Sequence, residues 1–202
     1  MIKMIKMIKM RNNLLQTTGR VLKCESLRFI QEMDSKSVNT IITDPPYDIT
    51  SFPLSEFERI CNGNIIVFCP PENQFFKPDE FLYWIKPLST KNFSRKCGRF
   101  VEFILVKRQG GTFNSIHWSS MTGVFDDKII EKIIHPFQKP LSLMEKLVRI
   151  YSNENDIILD PFVGSGSTCL AARNCNRNFL GIEQNEEYYK LACKRLDDKH
   201  NQ

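Results

Sequence analysis

The sequence predicts a single α/β domain built on a mostly parallel β-sheet, and three observations carry that prediction. Two apolar runs rich in β-branched residues, Thr40 to Thr43 and Ile157 to Leu159, each end on an aspartate followed by proline. Proline cannot donate to a sheet ladder, so each pair marks the end of a strand. The second run leads through a glycine-rich turn into a helical pattern, and the next run, Asn178 to Ile182, ends on Glu183. Strand and helix patterns alternate along the chain, as crossover connections require. Ligands in such open sheets bind at the carboxyl ends of the strands. Asp44, Asp160 and Glu183 therefore fall on one functional edge.

In chain order, Met-Ile-Lys repeated three times opens the sequence. A period of three gives neither a helix nor a strand one apolar face, so residues 1–16 are expected to form a disordered basic tail and residues 17–199 the domain. Gly19 to Cys24 predicts a short strand, and Glu25 to Met33 a helix with Leu27, Ile30 and Met33 inward. Thr40 to Thr43 is the strand that ends at Asp44. Asp48 to Asn62 predicts a loop and short helix, Asn64 to Cys69 a buried strand stopped by Pro70-Pro71, and Phe100 to Val106 another strand. Trp84 reads as core. Leu141 to Ser152 predicts a helix with Leu143, Met144, Leu147, Val148 and Tyr151 on one face. The last helix, Asn185 to Asp197, has Glu186 and Glu187 in its first turn and Lys194 and Arg195 in its last, matching the helix dipole.

Bulk properties bound the function only loosely. A length of 202 residues suits one domain with a sizeable core. The net charge of +5 permits a polyanionic partner without requiring one. Lys91, Arg95, Lys96, Arg99, Lys107 and Arg108 form the densest positive stretch, opposed only by Glu102, and are read as DNA-phosphate contacts. The seven cysteines are scattered without a Cys-x-x-Cys pair or a zinc-site spacing, which points to reduced thiols in a cytoplasmic protein and to no metal. No apolar run reaches the ~18 residues of a membrane span.

The chemistry available at Asp44-Pro45-Pro46-Tyr47 can be derived from the residues. The exocyclic amine of a nucleobase is a poor nucleophile because its lone pair is delocalised into the ring. Two acceptors aimed at its N–H bonds pull the nitrogen toward tetrahedral geometry, and the Asp44 carboxylate and the Pro45 carbonyl supply them. Pro46 stiffens that carbonyl, and Tyr47 offers a face on which a base can stack. In the second segment Gly164 and Gly166 allow the backbone to approach a ligand closely, but Cys169 stands where the third glycine of a dinucleotide fingerprint would be. No Gly-Lys-Ser/Thr follows, so the turn is a nucleoside site without a phosphate requirement. Glu183 lies about 20 positions on, the spacing that sets a carboxylate on ribose hydroxyls.

Four segments in this order, Asp44-Pro45-Pro46-Tyr47, His135-Pro136-Phe137-Gln138-Lys139-Pro140-Leu141, Asp160 through Thr168, and Phe179-Leu180-Gly181-Ile182-Glu183, resemble the DNA amino-methyltransferases of the N6-adenine and N4-cytosine family. With the catalytic motif ahead of the cofactor motif, the order is similar to that family's β group. The resemblance implies a Rossmann-like, S-adenosylmethionine-dependent methyltransferase fold. Its sheet would be seven-stranded, mostly parallel and circularly permuted, with the cofactor half C-terminal. It implies S-adenosyl-L-methionine as cofactor, held by Lys139, Asp160, Phe162, Gly164, Gly166, Ser167, Thr168 and Glu183. It implies double-stranded DNA as substrate, a flipped base, and direct displacement with no covalent enzyme intermediate.

Asp at position 44 favours adenine in this family without excluding cytosine. Residues 109–132, with Asn114, Ser115 and His117, occupy the place of a short target-recognition insertion, and Phe52 and Phe57 are either base-stacking or packing residues. Lys23-Cys24 stands where the family commonly has an acidic adenine contact, which Glu25 could replace. The family leaves open a homodimer and a cognate restriction nuclease. The other readings are an inactive DNA-binding module of the same fold and a nicotinamide-dependent reductase, the latter weakened by the missing third glycine.

Overall fold

The computed structural model describes residues 18–49, 51–70, 74–86, 101–115 and 122–198. Among these, strands β1 (Arg20–Lys23), β2 (Val38–Thr43), β3 (Cys61–Cys69), β4 (Glu80–Ile85), β5 (Val101–Arg108), β6 (Val124–Phe125), β7 (Ile157–Asp160) and β8 (Asn178–Glu183) form one sheet in the order β1-β8-β7-β2-β3-β5-β4-β6. The first five positions of this order run parallel, and β5 is antiparallel to both neighbours, β3 and β4. The expected seven strands become eight because Val124 and Phe125 pair parallel with Tyr83 and Trp84 at the sheet's edge. A two-residue strand has no period to read from sequence.

The helices are α1 (Ser26–Gln31), α2 (Leu54–Ile60), α3 (Leu141–Tyr151), α4 (Ser167–Asn174) and α5 (Glu186–Asp197). They divide between two apolar layers. Ile30 of α1 and Phe57 and Ile60 of α2 pack on Ile41, Ile65, Val67, Leu159 and Leu180. On the other face, Leu143, Leu147 and Ile150 of α3, Ala171 and Ala172 of α4, and Ala192 of α5 pack on Ile42, Ile66, Ile104 and Ile158. Strands covered on both sides explain the unbroken apolar runs. Leu27, expected inward, lies within α1 yet is 40% exposed, while Ile30 and Met33 are buried.

Close approach between β8 and α4 depends on Gly181. A Cβ there would lie 2.6 Å from Val163 Cγ2 and 2.9 Å from Cys169 Sγ. The space that a third glycine on the helix would provide is thus supplied from the strand, and Cys169 fills it.

The stretch after β5 is structural up to residue 115. Asn114 Nδ2 donates to the carbonyls of Arg149 and Ser152, and its N–H donates to Ile150, capping the end of α3. Thr112 O accepts from Asn64 Nδ2 at 2.7 Å. Residues 109–115, the start of the expected recognition insertion, therefore brace the amino-terminal edge of the sheet. His117 and the remainder of that segment to 121 lie outside the described residues, as does the N-terminal repeat.

Candidate active site

A cavity of about 600 Å³ opens at the carboxyl ends of β2, β7 and β8, which are consecutive in the sheet. Adjacent strands lie about 4.8 Å apart, so Asp44, Asp160 and Glu183 face one space roughly 10 Å across. Asp44, Pro45, Pro46 and Tyr47 line it beside Lys139, Phe162, Gly164, Ser167 and Thr168. Gly166 stands behind the lining, in the left-handed conformation at φ +80° that starts α4, and Gly164 is also left-handed at φ +50°.

Each carboxylate has a different environment. Glu183 accepts backbone N–H groups on both oxygens, from Gly164 at 2.9 Å and Asn185 at 2.8 Å, which fixes the turn against β8. Asp160 accepts from Thr43 Oγ1 at 2.8 Å and from the Phe162 N–H at 3.1 Å, and burial pushes its carboxyl up to about 6. Asp44 Oδ2 pairs with Lys139 Nζ, while Oδ1 is buried and takes no bond from Lys139 or the backbone. Burial raises its carboxyl above the ordinary range, opposed by the ammonium.

Lys139, expected as a cofactor contact, stands on the cavity lining with its side chain largely buried. Its Nζ sits between Asp44 and Glu102, 3.2 Å from Glu102 Oε2, and 5.0 Å from the centroid of the Phe68 ring. Sequence reasoning missed Glu102. The signal was available, since Glu102 alternates with Ile104 and Val106 on the core face of β5. An acidic residue at a core-facing position implies a buried partner. Arg195 was missed in the same way. Read as a dipole-matching end residue, it is only 7% exposed and reaches Ser165 O at 3.1 Å, Ser167 Oγ at 2.9 Å and Glu131 Oε1 at 3.3 Å, holding the glycine turn from beneath.

His135 opens the 135–141 segment and is buried on the cavity lining. Its Nδ1 accepts from the Phe137 N–H at 3.2 Å, and burial lowers its tendency to protonate. Nε2, buried without a partner, therefore carries the proton as a donor on the cavity lining.

The other expected contacts are placed as follows. Lys107 and Arg108 sit at the far end of antiparallel β5, opposite the edge that carries Asp44, and pair with Asp79 and Glu80. Lys91, Arg95, Lys96 and Arg99 lie outside the described residues. Glu25 caps α1 through the N–H groups of Leu27 and Arg28, and Lys23 pairs with Glu186. Neither carboxylate nor ammonium is turned to the cavity. Phe57 is core, and Phe52 stacks on Phe75 at 5.0 Å.

A permuted sheet with a carboxylate at three consecutive strand ends, a left-handed glycine turn and a single shared cavity defines a Rossmann-like methyltransferase fold. A family model described as DNA methylase matches residues 64–194, well over half of the chain, and the chain belongs to that family. It is 37% identical over 117 residues to the type II methyltransferase M.HindIII of Haemophilus influenzae, covering 52% of this chain and 38% of that protein. It is 48% identical over 63 residues to the DNA adenine methyltransferase YhdJ of Escherichia coli, covering 31% of this chain and 21% of that protein. The chain thus spans well under half the length of these relatives. The solved M1.HpyAVI–SAM complex superposes with a TM-score of 0.68 at 33% identity, covering 87% of this chain and 98% of that one.

Proposed function

We propose that this chain transfers a methyl group from S-adenosyl-L-methionine to the N6 amine of an adenine flipped out of duplex DNA. The observation that carries the reading is the convergence of Asp44 to Tyr47 with the Gly164 turn and Glu183 on one cavity. The cavity suits the cofactor. Its volume is within the range of small-molecule sites, Gly164 and Gly166 adopt the left-handed conformation, and the unpartnered His135 Nε2–H offers a buried donor. When bound, S-adenosyl-L-methionine supplies an electrophilic methyl on its sulfonium.

The chain's own residues then do the rest. Glu183 is the acceptor for ribose hydroxyls, Phe162 and the Gly164 backbone flank the nucleoside, and Lys139, Asp160, Ser167 and Thr168 shape the turn. Asp44 and the Pro45 carbonyl accept the two N–H bonds of the target amine and localise its lone pair. Tyr47 stacks the base, worth about 1–3 kcal/mol against a flipping cost of a few. Asp44 takes a proton late, once the amine has lost its lone pair. Lys91, Arg95, Lys96 and Arg99 serve as phosphate contacts. Duplex DNA is the partner this requires; a second copy of the chain or a restriction nuclease is not needed for the chemistry. Adenine is preferred because Asp stands at position 44 and because the relative YhdJ is named an adenine methyltransferase.

Nucleoside mass spectrometry of DNA incubated with the protein and methyl-labelled cofactor tests this, alongside Asp44→Ala. Labelled N6-methyladenine that disappears in the variant is the expected result. Labelled N4-methylcytosine would keep the mechanism and change the base. Cofactor binding without label in DNAs of varied sequence would favour an inactive module of the same fold or a substrate other than DNA.

A further inference from the structure

Four charged side chains form a line from the surface into the cavity. Lys86, at the end of β4, pairs with Glu102 Oε1; Glu102 Oε2 lies 3.2 Å from Lys139 Nζ; Lys139 Nζ pairs with Asp44 Oδ2. The Lys86 side chain is 30% exposed, whereas those of Glu102 and Lys139 are 9% and 7% exposed. The rings of Phe68 and Trp84, 5.0 and 5.8 Å from Lys139 Nζ, fill the remaining side of the ammonium. Signs alternate along the line, so weakening one link strengthens the next.

We propose that Glu102 is a positioning residue for the transfer step: its Oε2, buried 3.2 Å from Lys139 Nζ, stands ready to receive the ammonium when Asp44 turns to the target amine. The inference rests on the reading of Asp44 as amine acceptor. A carboxylate locked to one buried ammonium is a weak acceptor for anything else. An ammonium with a second anion beside it can loosen from the first without being left buried and unpaired. Glu102 makes no contact with substrate in this scheme and exchanges no proton with it.

The groups facing Glu102 are Lys86 from β4, Lys139 from the segment before α3, Asp44 and Tyr47 beyond β2, and Cys69 from β3. Burial and the two carboxylates push Cys69 up to about 12 and Tyr47 still further, so both stay neutral. The working charges are therefore two cations and two anions in alternation. Removing the charge at Glu102 leaves Lys139 to Asp44 alone and makes Asp44 a weaker base. Removing Lys86 frees Glu102 to draw Lys139 harder and makes Asp44 a stronger base.

The test is an NMR titration of the Asp44 carboxyl carbon in aspartate-labelled full-length protein, with the resonance assigned by its loss in Asp44→Asn. Relative to the unsubstituted protein, the midpoint should fall by about one pH unit in Glu102→Gln and rise in Lys86→Ala. Methyl transfer by Glu102→Gln should slow roughly tenfold with the KM for S-adenosyl-L-methionine within twofold, and Glu102→Asp should recover most of the rate. Midpoints that stay put, or that move in the same direction in both variants, would overturn the proposal. If Glu102→Gln does not fold, the Lys86→Ala midpoint still decides, because that side chain is at the surface. If the unsubstituted protein methylates no DNA, the proposed function falls while the titration still judges this cluster.

Discussion

Thr43 Oγ1 donates a 2.8 Å hydrogen bond to Asp160 Oδ1, joining the ends of two neighbouring strands that are 117 residues apart in the chain. One strand delivers Asp44 and the other delivers the glycine turn, so this bond sets the distance between the proposed amine acceptor and the proposed cofactor site. Thr43→Val keeps the shape and removes the donor, leaving a buried carboxyl short of a partner. The expected loss is about 1–3 kcal/mol of stability in urea denaturation, with several-fold weaker cofactor binding by calorimetry.

Asp160 also sets a pH dependence. Its carboxyl stands at about 6 in the fold against an ordinary 3.8, because it is buried. The folded state therefore holds a proton that the unfolded chain has released between those values. Its contribution is fully present below 3.8 and is lost as pH rises through 6. Acidifying from pH 7 to pH 5 should thus add about 1 kcal/mol from this group, and Asp160→Asn should abolish that increment. Urea denaturation of both proteins at the two pH values measures the difference; an equal increment in the variant would assign it elsewhere.

Gly181→Ala should destabilise by about 1–3 kcal/mol, since the added Cβ meets Val163 and Cys169 at 2.6 and 2.9 Å. Adding Cys169→Ala removes the sulfur and should return part of the loss. A double-mutant cycle from denaturation curves reads the coupling, and strictly additive losses would show that Val163 alone sets the limit.

The strand ends were legible in the sequence because strand pattern and stop signal are both local: β-branched runs closed by Asp44-Pro45 and Asp160-Pro161. Helix α3 was legible from its apolar stripe, and α5 from the acidic first turn and basic last turn that match the helix dipole. The alternation in β5 marks Glu102 as buried, but which residue each charge meets across the fold was not legible. Glu102 looked like the lone acid in a basic stretch, yet it faces Lys86 and Lys139 from two other segments. Arg195 reads as a last-turn cation matching the helix dipole, yet it lies under the glycine turn. Asn114 looked like recognition-loop polarity, yet it caps α3. In each case the partner is distant in sequence, so no local pattern records the pairing.

For the basic segment, simultaneous neutralisation of Lys91, Arg95, Lys96 and Arg99 should flatten the slope of log DNA affinity against log salt by about 3–4. Lys107→Ala and Arg108→Ala should leave that slope as it was, because both side chains are engaged with Asp79 and Glu80 at the opposite edge. Fluorescence anisotropy over a salt series distinguishes the two sets.

The position of β7 and β8 between β1 and β2 has a consequence for synthesis on the ribosome. β1 and β2 emerge early but do not pair with each other; the strands that fill the gap start at Ile157 and end at Glu183. At about 5–20 residues per second the nascent chain spends on the order of ten seconds with that gap open. During that interval two apolar strand edges are unpaired and available to other chains. A translation pause ahead of β7 would lengthen this window, and the yield of soluble protein should respond to codon choice there more than within the segment encoding α5.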